Sequence, residues 1–116
     1  EGELRETQGF DAVETIPVIE GSIHSYHLYT IRVHPEKRDR LLTELSLKGV
    51  GVGVNFRVVH LMKYYVERYG FKPGFFPIAE SIGSSTISLP LYPGLTGEEQ
   101  EYVVKSLKEV LTYIGN

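Results

Sequence analysis

A chain of 116 residues with 41% hydrophobic and 23% charged residues is about one globular domain long, able to bury a real core and without a disorder signature. Its formal net charge of −3 argues against the basic face of a nucleic-acid module, and the lack of cysteine excludes disulfides and thiolate metal sites. No signal-peptide pattern and no run near the roughly 18 apolar residues of a membrane span is present, so a soluble cytoplasmic protein with no membrane partner is expected. The first residue is Glu1 rather than Met, from which further residues upstream are expected.

Glu1 to Gly21 mixes polar residues, glycines and Pro17 without a sustained period and reads as a connector or an edge segment. The β-branched and aromatic run from Tyr26 to Val33 predicts a strand, central in its sheet because apolar bulk lies on both sides; His27 falls within it. His34-Pro35-Glu36 opens a helix, with proline in the first turn and an acid near the positive end of the dipole. Leu41, Leu42 and Leu45 line its inner face and Lys48-Gly49 closes it.

The strongest alternation follows. Val50, Val52, Val54, Phe56 and Val58 point one way and Gly51, Gly53, Asn55 and Arg57 the other, which predicts a second strand. Its paired glycines imply either a backbone or ligand approaching that side, or a bulge or tightly packed helix. A helix is expected over His60 to Tyr69 with Leu61, Met62, Tyr65 and Tyr69 inward and Gly70 as its stop. Phe75 and Phe76 are expected to be buried ahead of a short helix over Pro77 to Ile82. Thr86 to Leu89 reads as a third strand halted by Pro90. Thr96 and Glu99 form a capping box for a last helix with Val103, Leu107, Val110, Leu111 and Ile114 on its inner face. The order predicts a small α/β domain, a sheet of about three strands covered by helices mostly on one face.

For chemistry, His60 at a helix start would stay neutral beside the positive dipole end and could both donate and accept hydrogen bonds, suiting a sugar hydroxyl or carbonyl; capping its helix or filling an interface is the structural alternative. Arg57 could clamp a phosphate or carboxylate, or make a surface ion pair. His24, His27 and His34 share no ligand spacing with His60, so no metal site is expected. The glycines at 49, 51 and 53 make no phosphate loop, and no nucleophile elbow is present.

Four segments carry a family likeness: Tyr26 to Val33, the Gly-Val-Gly-Val strand running to Phe56 and His60, Phe76-Pro77-Ile78-Ala79-Glu80, and Ser88-Leu89-Pro90-Leu91-Tyr92-Pro93-Gly94-Leu95-Thr96. In this order and spacing, over roughly residues 20 to 114, the sequence resembles the C-terminal domain of the DegT/DnrJ/EryC1/StrS aminotransferases. The resemblance implies the small domain of a fold type I, pyridoxal-phosphate-dependent enzyme that moves an amino group from glutamate to a nucleotide-linked keto sugar, as in polysaccharide biosynthesis. It further implies a cytoplasmic homodimer whose N-terminal domain, missing here, holds the cofactor and the Schiff-base lysine; none of Lys37, Lys48, Lys63, Lys72, Lys105 and Lys108 suits that lysine. Residues 1–21 would then be the connector and 22–116 the small domain, inactive alone. In the family the passage into the helix reads His-Tyr-x-x-x-His, with its last histidine nearing the sugar or cofactor side of the cleft. His60 keeps that place, while Asn55 and Phe56 stand where histidine and tyrosine are usual, and Phe56 lacks the hydroxyl. The implied substrate contacts are His60, Asn55, Arg57 and Phe56, with no catalytic, cofactor or metal residue. Strand alternation sets Phe56 opposite Asn55 and Arg57, so all three can meet one substrate only if the strand bends. The competing reading is a noncatalytic α/β module that binds a small ligand or a protein.

Overall fold

Alternation along Thr30-Ile31-Arg32-Val33 sends Ile31 and Val33 to one side of the pleat and Thr30 and Arg32 to the other, and this split organises the molecule. A computed structural model describes residues 13–115. Its elements are β1 (Val13–Thr15), β2 (Tyr29–Val33), α1 (Pro35–Leu47), a 3-10 turn (Val59–Leu61), α2 (Lys63–Tyr69), α3 (Pro77–Ser85), β3 (Thr86–Leu89) and α4 (Gly97–Gly115). The sheet is antiparallel in the order β1-β2-β3, with Val13 opposite Val33 and Ile31 opposite Ile87. The fold is of mixed α/β class, as expected.

The apolar side of the sheet makes the core. Ile31, Val33, Ile87 and Leu89 bury against Leu41 and Leu45 of α1 and Leu107, Val110, Leu111 and Ile114 of α4. Thr30 and Ser88 pair on the opposite side, and Arg32 reaches from there to the hydroxyls of Ser85 and Ser81 at 3.1 and 3.2 Å. α3 leads straight into β3, and the buried Arg38 of α1 ties this junction by donating to the carbonyls of Gly83 and Thr86 at 2.9 and 3.4 Å.

Helix ends follow the sequence closely. α1 starts on Pro35 and closes at Gly49, whose φ of 77° is in the left-handed region that glycine enters without a Cβ penalty. α4 starts with the expected box: the Thr96 amide donates to Glu99 Oε2 at 2.8 Å and the Glu99 amide to Thr96 Oγ1 at 3.2 Å.

Elsewhere the structure corrects the sequence reading. The stretch from Val50 to Val58 is not a strand; it touches the sheet through one bridge, Gly53 to Ser88. Only Val50 enters the core, with Val52 packed partly against it. The two glycines offer β3 no side chain to pair with, so alternation there describes a segment lying along the sheet edge rather than a strand in it. The third strand is instead β1, from the stretch read as a connector or edge segment. His27 precedes β2 and is exposed. The helix expected over His60 to Tyr69 divides into the 3-10 turn and α2, and α2 buries no residue: Met62 and Tyr69 are exposed because its main neighbour is the turn before it, not the sheet. Phe75 and Phe76 are exposed as well, at 57% and 46%.

Candidate functional site

Val58 leaves the sheet edge in extended conformation and the chain tightens into the 3-10 turn that carries His60. Phe76-Pro77 starts α3, and Glu80 in its first turn faces back toward that turn. The two side chains meet: His60 Nε2 lies 2.8 Å from Glu80 Oε1. The Gly74 amide donates to both carboxylate oxygens at 2.9 Å, and the Phe76 amide to Oε1 at 3.4 Å. These contacts hold the Glu80 carboxyl below its ordinary pKa, the Gly74 N–H contributing most and His60 next. Phe76 and Phe71 stand edge-on to the imidazole, with centroids 4.8 and 6.1 Å away, and His60 is only 9% exposed.

His60 forms part of the wall of a groove of about 480 Å³, shared with Phe56, Arg57, Val58, Tyr65, Phe71 and Ile82. Of the four residues expected to contact substrate, the groove gathers His60, Arg57 and Phe56. Asn55 is half-buried outside its lining. Phe56 and Arg57 share the groove although strand alternation would oppose them, because the segment carries no regular pleat; a cis peptide bond joins Asn55 to Phe56. Phe56 is 69% exposed. The paired glycines are not where space is tight: a Cβ at Gly51 would meet nothing within 4 Å, and one at Gly53 would make an ordinary 3.7 Å contact with Asn55 Oδ1. The close approach is at Gly83, where a Cβ would fall against the Val58 side chain.

His24 and His34 stay apart from this site. His24 Nδ1 accepts the Tyr26 amide at 2.8 Å, in a second groove of about 220 Å³ that also includes His27. His34 lies 4.0 Å from Glu36.

Sequence reasoning placed Glu80 in a family-like segment without giving it a role. Its signal was an acid in the first turn of a helix opened by proline, a position usually explained by the dipole alone.

Residues 1–108 match the DegT/DnrJ/EryC1/StrS aminotransferase family. The chain belongs to this family. It is 31% identical over 93 residues to the spore coat polysaccharide biosynthesis protein SpsC of Bacillus subtilis, covering 76% of this chain and 24% of that protein. Among solved structures it is similar to NtdA of Bacillus subtilis with bound cofactor PMP, with 30% identity, a TM-score of 0.79, and coverage of 96% of this chain and 26% of the other. It is also similar to the aminotransferase TlmJ of Streptoalloteichus hindustanus, with 25% identity, a TM-score of 0.80, and coverage of 91% and 28%. The chain thus spans about a quarter of the length of these DegT/DnrJ/EryC1/StrS relatives.

The described residues do not by themselves fit the pyridoxal cofactor of the family. No lysine lines the groove, and the one carboxylate beside it, Glu80, is taken up by His60 and two backbone amides. Lys48 is held by Glu109 at 2.8 Å, and Lys63 and Lys105 lie beside Glu67 and Glu109 at 3.8 and 4.0 Å.

Proposed function

We propose that this chain is the small domain of a pyridoxal-phosphate-dependent aminotransferase that transfers an amino group from glutamate to a nucleotide-linked keto sugar. The observation that carries the reading is the family match, which runs through nearly the whole chain. In it, residues 1–21 connect to a larger domain that binds the cofactor and supplies the lysine, and 22–116 provide one wall of the substrate cleft in a cytoplasmic homodimer. His60, Arg57 and Phe56 contact the substrate through the groove they share; Asn55, outside its lining, contributes least. The surface is compatible with a piece seated in a larger body: Ile16, Val18, Ile19 and Ile23 are all exposed along one segment, where a neighbouring domain could cover them.

The test is an absorbance spectrum of the protein expressed from its complete gene, with pyridoxal phosphate, before and after glutamate is added. A bound-cofactor band that converts on adding glutamate is the expected result, and the 116-residue chain alone should give neither band nor turnover. A folded, complete product with no cofactor band would overturn the proposal.

A further inference from the structure

The His60–Glu80 pair determines which nitrogen of the imidazole carries a proton. Glu80 accepts from Gly74 and Phe76 N–H groups, and an ionised carboxylate has only acceptors to offer. At 2.8 Å the proton between the two side chains therefore sits on His60 Nε2. In a neutral imidazole that leaves Nδ1 bare, able to accept and not to donate. Among the described residues Nδ1 has no hydrogen-bond partner, although the side chain is nine-tenths buried and walls the groove. Phe76 and Phe71, edge-on to the ring, fix its plane.

We propose that Glu80 is a positioning residue: it holds His60 as the Nε2–H tautomer, so that Nδ1 accepts a hydrogen bond from a hydroxyl of the sugar that enters the groove. This rests on the reading of His60 as a substrate contact. Glu80 touches no substrate itself. Its two backbone partners anchor the carboxylate while His60 relays its orientation, as outer partners of functional histidines commonly do. The chemistry demanded of the ligand is a hydroxyl donor, and a group that can only accept would be refused.

The experiment uses the protein from the complete gene in wild-type form and as His60→Ala, Glu80→Ala, Glu80→Gln and the His60→Ala/Glu80→Ala double variant. Nitrogen-15 NMR of labelled histidine should show His60 protonated at Nε2 and bare at Nδ1 in the wild type, and a mixture of tautomers in Glu80→Ala. Glu80→Gln keeps a carbonyl acceptor and should preserve the wild-type tautomer. For the keto sugar turned over from a panel of UDP- and dTDP-linked 3-keto and 4-keto sugars, Glu80→Ala should raise KM about five- to tenfold, the loss of one ordinary hydrogen bond. Glu80→Gln should recover most of it. The far-ultraviolet circular dichroism and the urea midpoint at neutral pH should remain those of a folded protein in both, which a merely misfolded variant would not show. The double variant should be no worse than His60→Ala, because Glu80 acts through His60.

A wild-type His60 protonated at Nδ1, or a tautomer unmoved by Glu80→Ala, would overturn the proposal, as would additive effects in the double variant. If His60→Ala leaves KM unchanged, or no keto sugar is aminated, the functional reading itself fails, and the ligand half of the proposal with it.

Discussion

Gly83 decides how closely α3 can lie against the segment that carries the site. A Cβ there would collide with the Val58 side chain and sit 3.4 Å from the Val58 backbone nitrogen, and a β-branched valine has little freedom at χ1 to withdraw. Val58 is two residues before His60, so the displacement reaches the imidazole. Gly83→Ala should therefore destabilise the protein by about 1–2 kcal/mol in denaturant titration, overpacking outweighing the gain of about 1 kcal/mol that alanine brings to a helix. Gly51→Ala, whose Cβ would meet nothing, should be neutral or slightly stabilising in the same titration. Equal losses at both positions would show that the contact with Val58 yields freely. The sequence drew attention to Gly51 and Gly53 because they alternate with valines, and it was silent on Gly83. A glycine's type is legible in one dimension, but the neighbour that needs its missing side chain comes from a segment 25 residues away.

At the scale of elements, α4 shows what a local signal can fix. The capping box of Thr96 and Glu99 needs only four consecutive residues and satisfies amide groups that helix geometry leaves without partners. Thr96→Ala should lower stability by about 1 kcal/mol, read as a shift of the urea midpoint at constant slope, and Thr96→Ser should retain most of it. A midpoint unmoved by alanine would mean that packing of Leu107, Val110, Leu111 and Ile114 alone sets the start of α4. α2 shows the opposite case. Its aromatic spacing suggested an inward face, yet Tyr65 and Tyr69 stack on one another with centroids 6.2 Å apart while Tyr69 stays exposed. Apolar spacing describes which residues share a face of a helix. It does not say that another element lies against that face.

Among the described residues, three carboxylates titrate below their ordinary value of 4.5: Glu80 through the Gly74 N–H and His60, Glu99 through Thr96, and Glu109 through Lys48. A folded pKa below the unfolded one gives stability that is present above the unfolded value and lost as pH falls through the folded one. Unfolding midpoints should hold steady from neutral pH to about 4.5 and fall below it. Glu80→Gln should flatten that decline more than Glu109→Gln, since the Glu80 side chain is 21% exposed and that of Glu109 48%, where water screens the pair. An acid limb indifferent to Glu80→Gln would remove Glu80 from this balance. The radius of gyration, 15.7 Å, exceeds the roughly 13 Å of a compact domain of this length, consistent with the connection between β1 and β2 that leaves Ile19 and Ile23 in solvent.

By itself the sequence determined β2, α1, β3, α4 and the caps at Gly49 and Thr96, because each is written in contiguous residues whose spacing matches one period or one turn. It also marked His60, through a place shared with a family, and the groove residues Phe56 and Arg57, Phe56 as a replacement within that family's pattern and Arg57 through the chemistry of its guanidinium. Only the tertiary structure decided that Val13–Thr15 completes the sheet while Val50 to Val58 lies along its edge, since strands are made by partners and not by alternation. It likewise joined His60 to Glu80, 20 residues apart on two different turns, where the identity of each residue carries no trace of the other. Contacts between elements depend on where the intervening chain folds back, and that is settled by the burial of the core as a whole.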